Sequence, residues 1–308
     1  MIINQSLIVR TEEEGLRLDA LLGVRYPSST RAFCREAISS GKVTIRGAHA
    51  VKGRKMHSGE EVVVHELREA CDNRIAPDPS VKPSIVYDDG GLIGVDKPAG
   101  IPVQPLSCTE KGTLMNGLVA YAPELAGIGD DPMMAGALHR IDTGTSGLVL
   151  AARSNELFTL MRGLFAARLV KKTYLALVSG HVAAGGTISC DLAHDPDFPI
   201  CRMVKASSLC GPVRPMHAET TYRPLRLMDG RTLLEVTIRT GVTHQIRAQL
   251  AMAGLPIVGD DLYGAGSRKG SKRHCLHALA VSFVHPITSV PLKITTPWPS
   301  WAKGAGEA

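Results

Sequence analysis

The chain has 308 residues, of which 44% are apolar and 21% are charged, a balance that is typical of globular proteins and sufficient for a substantial core. It contains no run of about 18 apolar residues, so we expect no membrane-spanning helix and no membrane partner. The net charge of +6 is compatible with a polyanionic partner but does not require one.

The N-terminal stretch MIINQSLIVRTEEEG is acidic where a signal or transit peptide would be basic, so we expect a cytoplasmic protein. The seven cysteines form no C-x-x-C pair, which indicates reduced thiols rather than a disulfide framework or a zinc ribbon. The histidines show no metal-binding spacing. We therefore expect no metal, no nucleotide cofactor and no other cofactor. As a separate prediction, we expect a monomer.

Residues 1–75 are predicted to form a small α+β domain. Leu18, Leu21 and Leu22 lie at helical spacing, and the turn YPSST offers Ser or Thr as the cap of a second helix, RAFCREAISSG, which Gly41 closes. The stretches KVTIRG and EEVVVHE are predicted strands. Two helices packed on a small sheet follow from this pattern.

Basic residues dominate positions 31 to 55 of this domain, where Glu36 is the one acid. Such a local excess is typical of a phosphate-binding surface, although a solvated basic face without a partner is the alternative. The predicted RNA contacts are Arg31, Arg35, Lys42, Arg46, Lys52 and Arg54. The pieces R-L-D-x-x-L, P-S-S-T-R, I-x-x-G-K-V-x-I-x-G and S-G-E-x-V resemble, over about residues 15–66, the alpha-L RNA-binding domain of a ribosomal protein and several RNA-modifying enzymes.

A stretch rich in Pro, Asp and Ser ends at residues 76–84, which we interpret as a linker. In residues 85–308, strand-like runs such as SGLVLAAR and KTYLALVSG alternate with helix-like runs such as SNELFTLMRGLFAARLV. This pattern predicts an α+β catalytic domain with a mixed, mainly antiparallel sheet and flanking helices.

Asp142 lies on a turn that leads into the apolar strand SGLVLAA. By residue type alone, a turn-forming aspartate is favoured over a functional acid. Ser146 as the nucleophile of a hydrolase is a weaker alternative, because GTSG lacks the second position of a G-x-S-x-G elbow.

The stretch HRIDTGTSGLVLAA resembles the H-R-L-D signature of the RluA-type pseudouridine synthases, with Ile141 in the leucine position. Further motifs of that family occur in the family's order over about residues 85–298. VDKPAGIPVQP precedes this stretch, and five motifs follow it: KKTYLALVSG, HAETTYRPL, TGVTHQIRAQL, PIVGDDLYG and LHALAVSFVHP. The resemblance implies an enzyme that isomerises uridine to pseudouridine in structured RNA, ribosomal or transfer, without a cofactor.

The resemblance also implies roles for single residues. Asp142 is the reacting carboxylate, and Tyr174 stacks on the uracil, with a part in removing the C5 proton as a further catalytic role. Arg140 could contact phosphate or fill the gap that the extruded base leaves, and the resemblance favours the second. His139, Lys172 and Gln245 are the further predicted substrate contacts, and we also expect His139 to support the loop of Asp142. We interpret His244 as a residue that supports the structure or orients the backbone, and not as an acid or base.

Arg247 is the predicted cation beside Asp142. Thr243 is the expected N-cap of its helix, Ile246 and Leu250 face the core, and Gly254 ends the helix. Arg247 then falls near the positive end of the helix, where charge and dipole both favour an anion.

One position departs from the family pattern. Val242 stands where the family commonly has arginine, which puts one polar contact with RNA in doubt. The basic stretch SRKGSKR at 267–273 is a candidate replacement, and a solvated basic loop without a partner is the equal alternative. The alternative from another functional class is a non-catalytic RNA-binding or ribosome-assembly protein that keeps the fold.

Overall fold

The computed structural model describes residues 1–51, 53–69, 74–198, 201–209, 211, 213–264 and 273–303. The chain divides into two compact units. The smaller comprises Met1–Ile75 with Ser107–Thr109, and the larger comprises Ala76–Leu106 with Glu110–Ala308. Within the described ranges, no helix is long and apolar enough to cross a membrane.

The smaller unit is an antiparallel four-stranded sheet with two helices. Its elements are β1 (Ile2–Ile8), α1 (Leu18–Arg25), α2 (Arg31–Ser39), β2 (Val43–Ile45), β3 (Ala48–His49) and β4 (Glu61–Leu67). The strand order is β1-β4-β2-β3. Both predicted helices and both predicted strands are confirmed. Strand β1 was not predicted from the sequence. Only two of its seven residues are partly buried, so the strand shows no clear alternation of apolar and polar residues.

The helices of this unit follow from local sequence signals. Leu18, Leu21 and Leu22 are fully buried on one face of α1. The Thr30 hydroxyl accepts the Phe33 N–H and caps α2, as the YPSST turn predicted. These contacts give the unit an apolar core of its own.

The larger unit is built on a ten-stranded sheet. Its strands are β5 (Ser84–Asp88), β6 (Leu92–Lys97), β7 (Ser146–Ala152), β8 (Lys171–Ser179), β9 (Gly186–His194), β10 (Met203–Lys205), β11 (Met216–Met228), β12 (Arg231–Ile238), β13 (Leu276–Val284) and β14 (Pro291–Thr295). Its helices are α3 (Leu114–Tyr121), α4 (Asn155–Ala166) and α5 (Gln245–Met252).

The sheet runs in the order β10-β9-β11-β12-β8-β13-β7-β6-β5, and β14 pairs with β13. Strands β13 and β7 are parallel, and the other pairs are antiparallel. The predicted α+β class, with a mixed and mainly antiparallel sheet, is confirmed.

Gly147 explains the close approach of β7 and β13 in the middle of this sheet. Its φ is +108°, and a Cβ built on it would lie 2.2 Å from the Ala278 carbonyl oxygen. Any side chain here would collide with backbone, so the glycine in TSG serves strand pairing. This pairing fixes the start of β7, directly after the loop of Asp142.

Candidate active site

A pocket of about 1140 Å³ opens in the larger unit, where several segments converge. The loop before β7, the first residues of β8, the end of β12 and the first turn of α5 all contribute to its lining. Asp142, Tyr174 and Arg247, which the sequence assigned to catalysis, line it together.

The loop that carries Asp142 is held from inside the protein by Lys97. The Lys97 side chain is fully buried, and its ammonium donates to the carbonyl oxygens of Pro98, Ile101 and Thr143 at 3.0, 2.8 and 3.2 Å. Burial lowers the pKa of Lys97 to about 8. The turn is closed by the Thr145 N–H, which donates to the Asp142 carbonyl at 3.0 Å.

Asp142 and Arg247 form an ion pair inside the pocket. The Nη1 of Arg247 donates to the Oδ2 of Asp142 at 2.8 Å. The Asp142 side chain keeps 27% of its surface exposed, whereas that of Arg247 keeps 10%. The carboxylate is therefore open to a ligand from one side and bound to a buried cation on the other.

A second carboxylate, Asp260, fixes Arg247 from behind. Arg247 donates from Nε at 2.7 Å and from Nη2 at 2.9 Å to the two oxygens of Asp260. Burial alone would lower the pKa of Arg247, but the bonds to Asp260 and the charge of Asp142 raise it above its usual range. One guanidinium thus serves two carboxylates, and only Asp142 remains open to the pocket.

Asp260 is 1% exposed and is itself held by the backbone. Its Oδ1 accepts the N–H groups of Leu262 and Tyr263 at 3.0 and 3.1 Å. Burial alone would raise the pKa of Asp260, but the bond to Arg247 outweighs burial and keeps the pKa below its usual value. Asp260 is therefore a buried anion with four hydrogen-bond donors around it.

The start of α5 differs from the prediction. The N-cap is His244, in the left-handed conformation with φ of 53°, and not Thr243. The Gln245 side chain organises the turn instead: its Oε1 accepts from Thr240 and Val242, and its Nε2 donates to the Glu219 carbonyl. Gln245 is 3% exposed, so this position gives it a structural task.

His244 lies beside the ion pair. Its Nε2 is 3.9 Å from the Oδ2 of Asp142, and its Nδ1 is 3.2 Å from the hydroxyl of Tyr263. Burial, more than any neighbouring charge, lowers the pKa of His244, so the imidazole is neutral at pH 7. The Tyr263 ring also packs under the guanidinium of Arg247, with 5.3 Å between Cζ and the ring centre.

Tyr174 presents a buried ring to the pocket from β8. It is 7% exposed, and its neighbour Leu175 packs on the opposite face of the sheet with Leu177 and Leu233, as the alternation predicted. Burial, reinforced by the negative charge of Asp142, raises the pKa of Tyr174 well above its usual range. Tyr174 is a neutral phenol at physiological pH.

Lys172 and His139 meet at one wall of the pocket. The Lys172 ammonium donates to the Thr240 carbonyl at 2.7 Å and lies 5.9 Å from the centre of the Phe165 ring; the imidazole of His139 packs on the same ring. Burial lowers the pKa of Lys172 to about 8, and burial with the Lys172 charge lowers that of His139 to about 3. His139 Nε2 accepts the Leu150 N–H at 3.2 Å, which ties the loop to β7.

Ser146 is placed in the sheet rather than as a nucleophile. Its hydroxyl lies 2.8 Å from Nδ1 of His277, and Nε2 of His277 lies 2.8 Å from the Thr296 hydroxyl. Neither Ser146 nor His277 lines the pocket. This series of hydrogen bonds ends at the Thr296 hydroxyl, where a hydrolase triad would have a carboxylate. The geometry therefore does not support the hypothesis that Ser146 is the nucleophile of a hydrolase.

Comparisons with known proteins identify the family. The sequence model of the family described as RNA pseudouridylate synthase matches residues 91–252. The chain belongs to this family. A Xanthomonas campestris protein named ribosomal large subunit pseudouridine synthase D is 32% identical over 305 residues, which cover 95% of this chain and 88% of the relative.

A Pseudomonas aeruginosa protein of the same name is also 32% identical, over 96% of this chain and 93% of its own length. Among solved structures, human RNA pseudouridylate synthase domain containing 1 matches with a TM-score of 0.58 and 25% identity, over 73% of this chain and 87% of its own. This chain is therefore a pseudouridine synthase, an isomerase, and its fold is that of the family.

In this pseudouridine synthase, the predicted RNA contacts of the smaller unit fall into two groups. Arg35, Lys42 and Arg54 are paired with Asp19, Glu66 and Glu60 at 3.2, 2.7 and 2.6 Å. Arg31 and Arg46 are exposed, and no carboxylate among the described residues pairs with them. Lys52 lies outside the described residues, as does most of the stretch at 267–273.

Several residues that shape the site were quoted in motifs but given no role. Lys97 belongs to VDKPAGIPVQP, and Asp260 and Tyr263 belong to PIVGDDLYG. A buried lysine or aspartate signals a partner, but burial cannot be read from a short loop motif. Val242 packs with an apolar cluster that includes Leu192 and Met203, a contact available to valine and not to an arginine head group.

Proposed function

We propose that this enzyme converts uridines of large-subunit ribosomal RNA to pseudouridine, with Asp142 as the reacting carboxylate and without a cofactor. The contact between Asp142 and Arg247 carries the proposal, since it keeps an anion available in a pocket that also presents an aromatic ring. The named activity of the relatives from Xanthomonas campestris and Pseudomonas aeruginosa supports the choice of RNA.

The reaction needs no external reagent because substrate and product are isomers. The N1–C1′ bond of uridine breaks, the uracil turns within the pocket, and C5 forms a bond to C1′. The proton that leaves C5 is balanced by the one that N1 gains. The enzyme must supply an anion near C1′ and C2′, hold the detached base, and move one proton.

Asp142 can serve this reaction in two ways. Its carboxylate attacks C1′ directly, or it removes the C2′ proton to give a glycal intermediate. Both routes need the anion in nearly the same place, open on one side and stabilised on the other. A rate measured with uridine deuterated at C2′ distinguishes them, because only the second route breaks that C–H bond.

We assign Tyr174 the role of a stacking surface. A phenol whose pKa is raised by burial holds its proton firmly, and its flat ring suits the face of a uracil. The base must leave its own stack to reach Asp142, and Arg140, exposed at the same pocket, is the side chain assigned to the space it vacates.

The direct test is to incubate the full chain with unmodified transcripts of large-subunit ribosomal RNA and, separately, of transfer RNA. Pseudouridines are mapped by carbodiimide labelling and primer extension. The ribosomal transcript should acquire pseudouridine, and Asp142→Asn should lower the rate by about a thousandfold or more. Asp261→Asn, which changes an exposed carboxylate, is the matched control and should keep its activity. A fully active Asp142→Asn enzyme would refute the assignment of the carboxylate.

A further inference from the structure

Three arginines besides Arg140 line the pocket with their side chains exposed. Arg162 lies in the last turns of α4, Arg168 follows the end of that helix, and Arg239 follows the end of β12. We call Arg162, Arg168 and Arg239 the arginine rim. Among the described lining residues, Asp142 is the one carboxylate, so the pocket combines a single inner anion with several outer cations.

The arginine rim differs from other arginines of the same unit in its pairing. Arg153 forms ion pairs with Asp88 and Glu124, and Arg223 bonds Glu235 at 2.8 Å. No carboxylate of the described chain pairs with a member of the rim. Positive charges gathered at one opening without counter-charges repel one another, and an anionic ligand relieves that repulsion.

The backbone around the rim is well fixed. Arg168 has a left-handed φ of 58°, and its N–H donates to the Phe165 carbonyl at 3.1 Å, which ends α4 in a closed turn. Arg239 Nη1 donates to the Arg168 carbonyl at 3.4 Å, and Arg162 Nη1 donates to the Leu138 carbonyl at 3.3 Å. The guanidinium groups of Arg162 and Arg239 therefore each use one donor on the protein and keep others for a ligand, and Arg168 is held through its backbone.

We propose that the arginine rim binds the phosphates that flank the nucleotide entering the pocket. The proposal rests on the proposed function for the identity of the ligand, an RNA chain. A base that reaches Asp142 must swing out of its stack, and the backbone on either side of it then bends around the pocket opening. Guanidinium groups held at that opening meet phosphate oxygens with paired donors, which position the chain without reading its sequence.

The experiment measures binding alone, with the full chain and an unmodified large-subunit ribosomal RNA transcript, between 50 and 200 mM salt. In one variant all three rim arginines become glutamine, and in a second they become lysine. Arg223→Gln is the matched control, because it removes an exposed arginine of the same unit that is already paired and lies outside the pocket lining.

Each lost phosphate contact should reduce the slope of log affinity against log salt by roughly 0.7 to 0.9. Losing three contacts would reduce the slope by about 2.1 to 2.7, so wild-type affinity should fall about 20- to 40-fold more than that of the glutamine variant over this salt range. The lysine variant should keep most of the wild-type slope, because it retains the charge, and Arg223→Gln should keep all of it.

An unchanged slope in the glutamine variant would overturn the proposal. So would a loss of slope in Arg223→Gln of about one third of that in the triple glutamine variant, since each lost charge would then count equally wherever it lies. Because no turnover is measured, failure here leaves the role of Asp142 intact, and an active Asp142→Asn enzyme would not alter the binding result.

Discussion

Arg247 bonds Asp260 through two parallel N–H donors at 2.7 and 2.9 Å, and this pairing sets the plane of the guanidinium before it reaches Asp142. The remaining Nη1 donates to Asp142 at 2.8 Å. Asp260 does not line the pocket, and Arg247 connects it to Asp142.

We predict that Asp260→Asn lowers both stability and rate. Asparagine keeps one oxygen for the N–H groups of Leu262 and Tyr263 but removes the charge that faces Arg247. Breaking a buried pair from one side costs about 3–5 kcal/mol, which urea unfolding would measure. The single-turnover rate should fall as well, because the guanidinium can rotate away from Asp142. Asp261→Asn is the control, and a rate equal to wild type in Asp260→Asn would contradict the positioning role.

For Arg247, alanine and lysine variants separate charge from geometry. In Arg247→Ala the Asp142 carboxylate loses the cation bonded to it at 2.8 Å, so the single-turnover rate on bound RNA should fall well below that of the wild type. Arg247→Lys keeps the positive charge but loses the paired donors of the guanidinium, so its rate should lie between those of the wild type and Arg247→Ala. If Arg247→Ala lost only RNA affinity, with an unchanged single-turnover rate on bound RNA, the role of Arg247 would be to hold RNA and not to support Asp142.

In the smaller unit, the ion pairs divide the predicted RNA contacts. Arg31→Gln and Arg46→Gln remove exposed cations without a described carboxylate partner, and each should reduce the salt slope of RNA binding by roughly 0.7 to 0.9. Lys42→Gln removes a cation that Glu66 already neutralises at 2.7 Å, so it should change the slope less. Equal slopes in all three variants and wild type would show that this face does not contact RNA.

The sequence predicted most of the strands and helices around the site because their signals are local. The apolar run from Ser146 to Ala152 and the alternation around Tyr174 are visible in a few consecutive residues. Strand β1 was missed because its pairing with β4, and not its own pattern, makes it a strand. The N-cap of α5 was misplaced because the Gln245 side chain, bonded to Thr240 and Val242, organises that turn.

The sequence predicted which side chains lie together in the pocket, but not the residues that support them. Asp142 and Arg247 are 105 positions apart, and only a family motif could bring them together before the fold was known. Lys97 and Asp260 act through burial and through backbone contacts, which depend on the whole sheet. The ion pair between Arg54 and Glu60 also depends on the fold. From the sequence alone, Arg54 could not be distinguished from a basic residue without a carboxylate partner.

Buried histidines should make this enzyme sensitive to mild acid. His277 is 2% exposed and bonded to Ser146 and Thr296, and burial lowers its pKa to about 4. His274, bonded to Thr145, also has its pKa lowered to about 4 by burial. In an unfolded chain a histidine titrates at about 6.5.

As pH falls from about 6.5 towards 4, these histidines therefore become protonated in the unfolded chain but stay neutral in the folded chain. The free energy of unfolding then decreases by about 1.4 kcal/mol per pH unit for each such histidine. Above pH 7.5 neither state binds these protons, and the effect vanishes. Urea unfolding at pH 7, 6 and 5 measures the slope. His277→Gln should be less stable at pH 7, because it disturbs both hydroxyl contacts, yet its slope between pH 6 and 5 should be smaller by about 1.4 kcal/mol per unit. His274→Gln should show a similar decrease. A wild-type slope in both variants would mean that neither imidazole stays neutral in the folded enzyme.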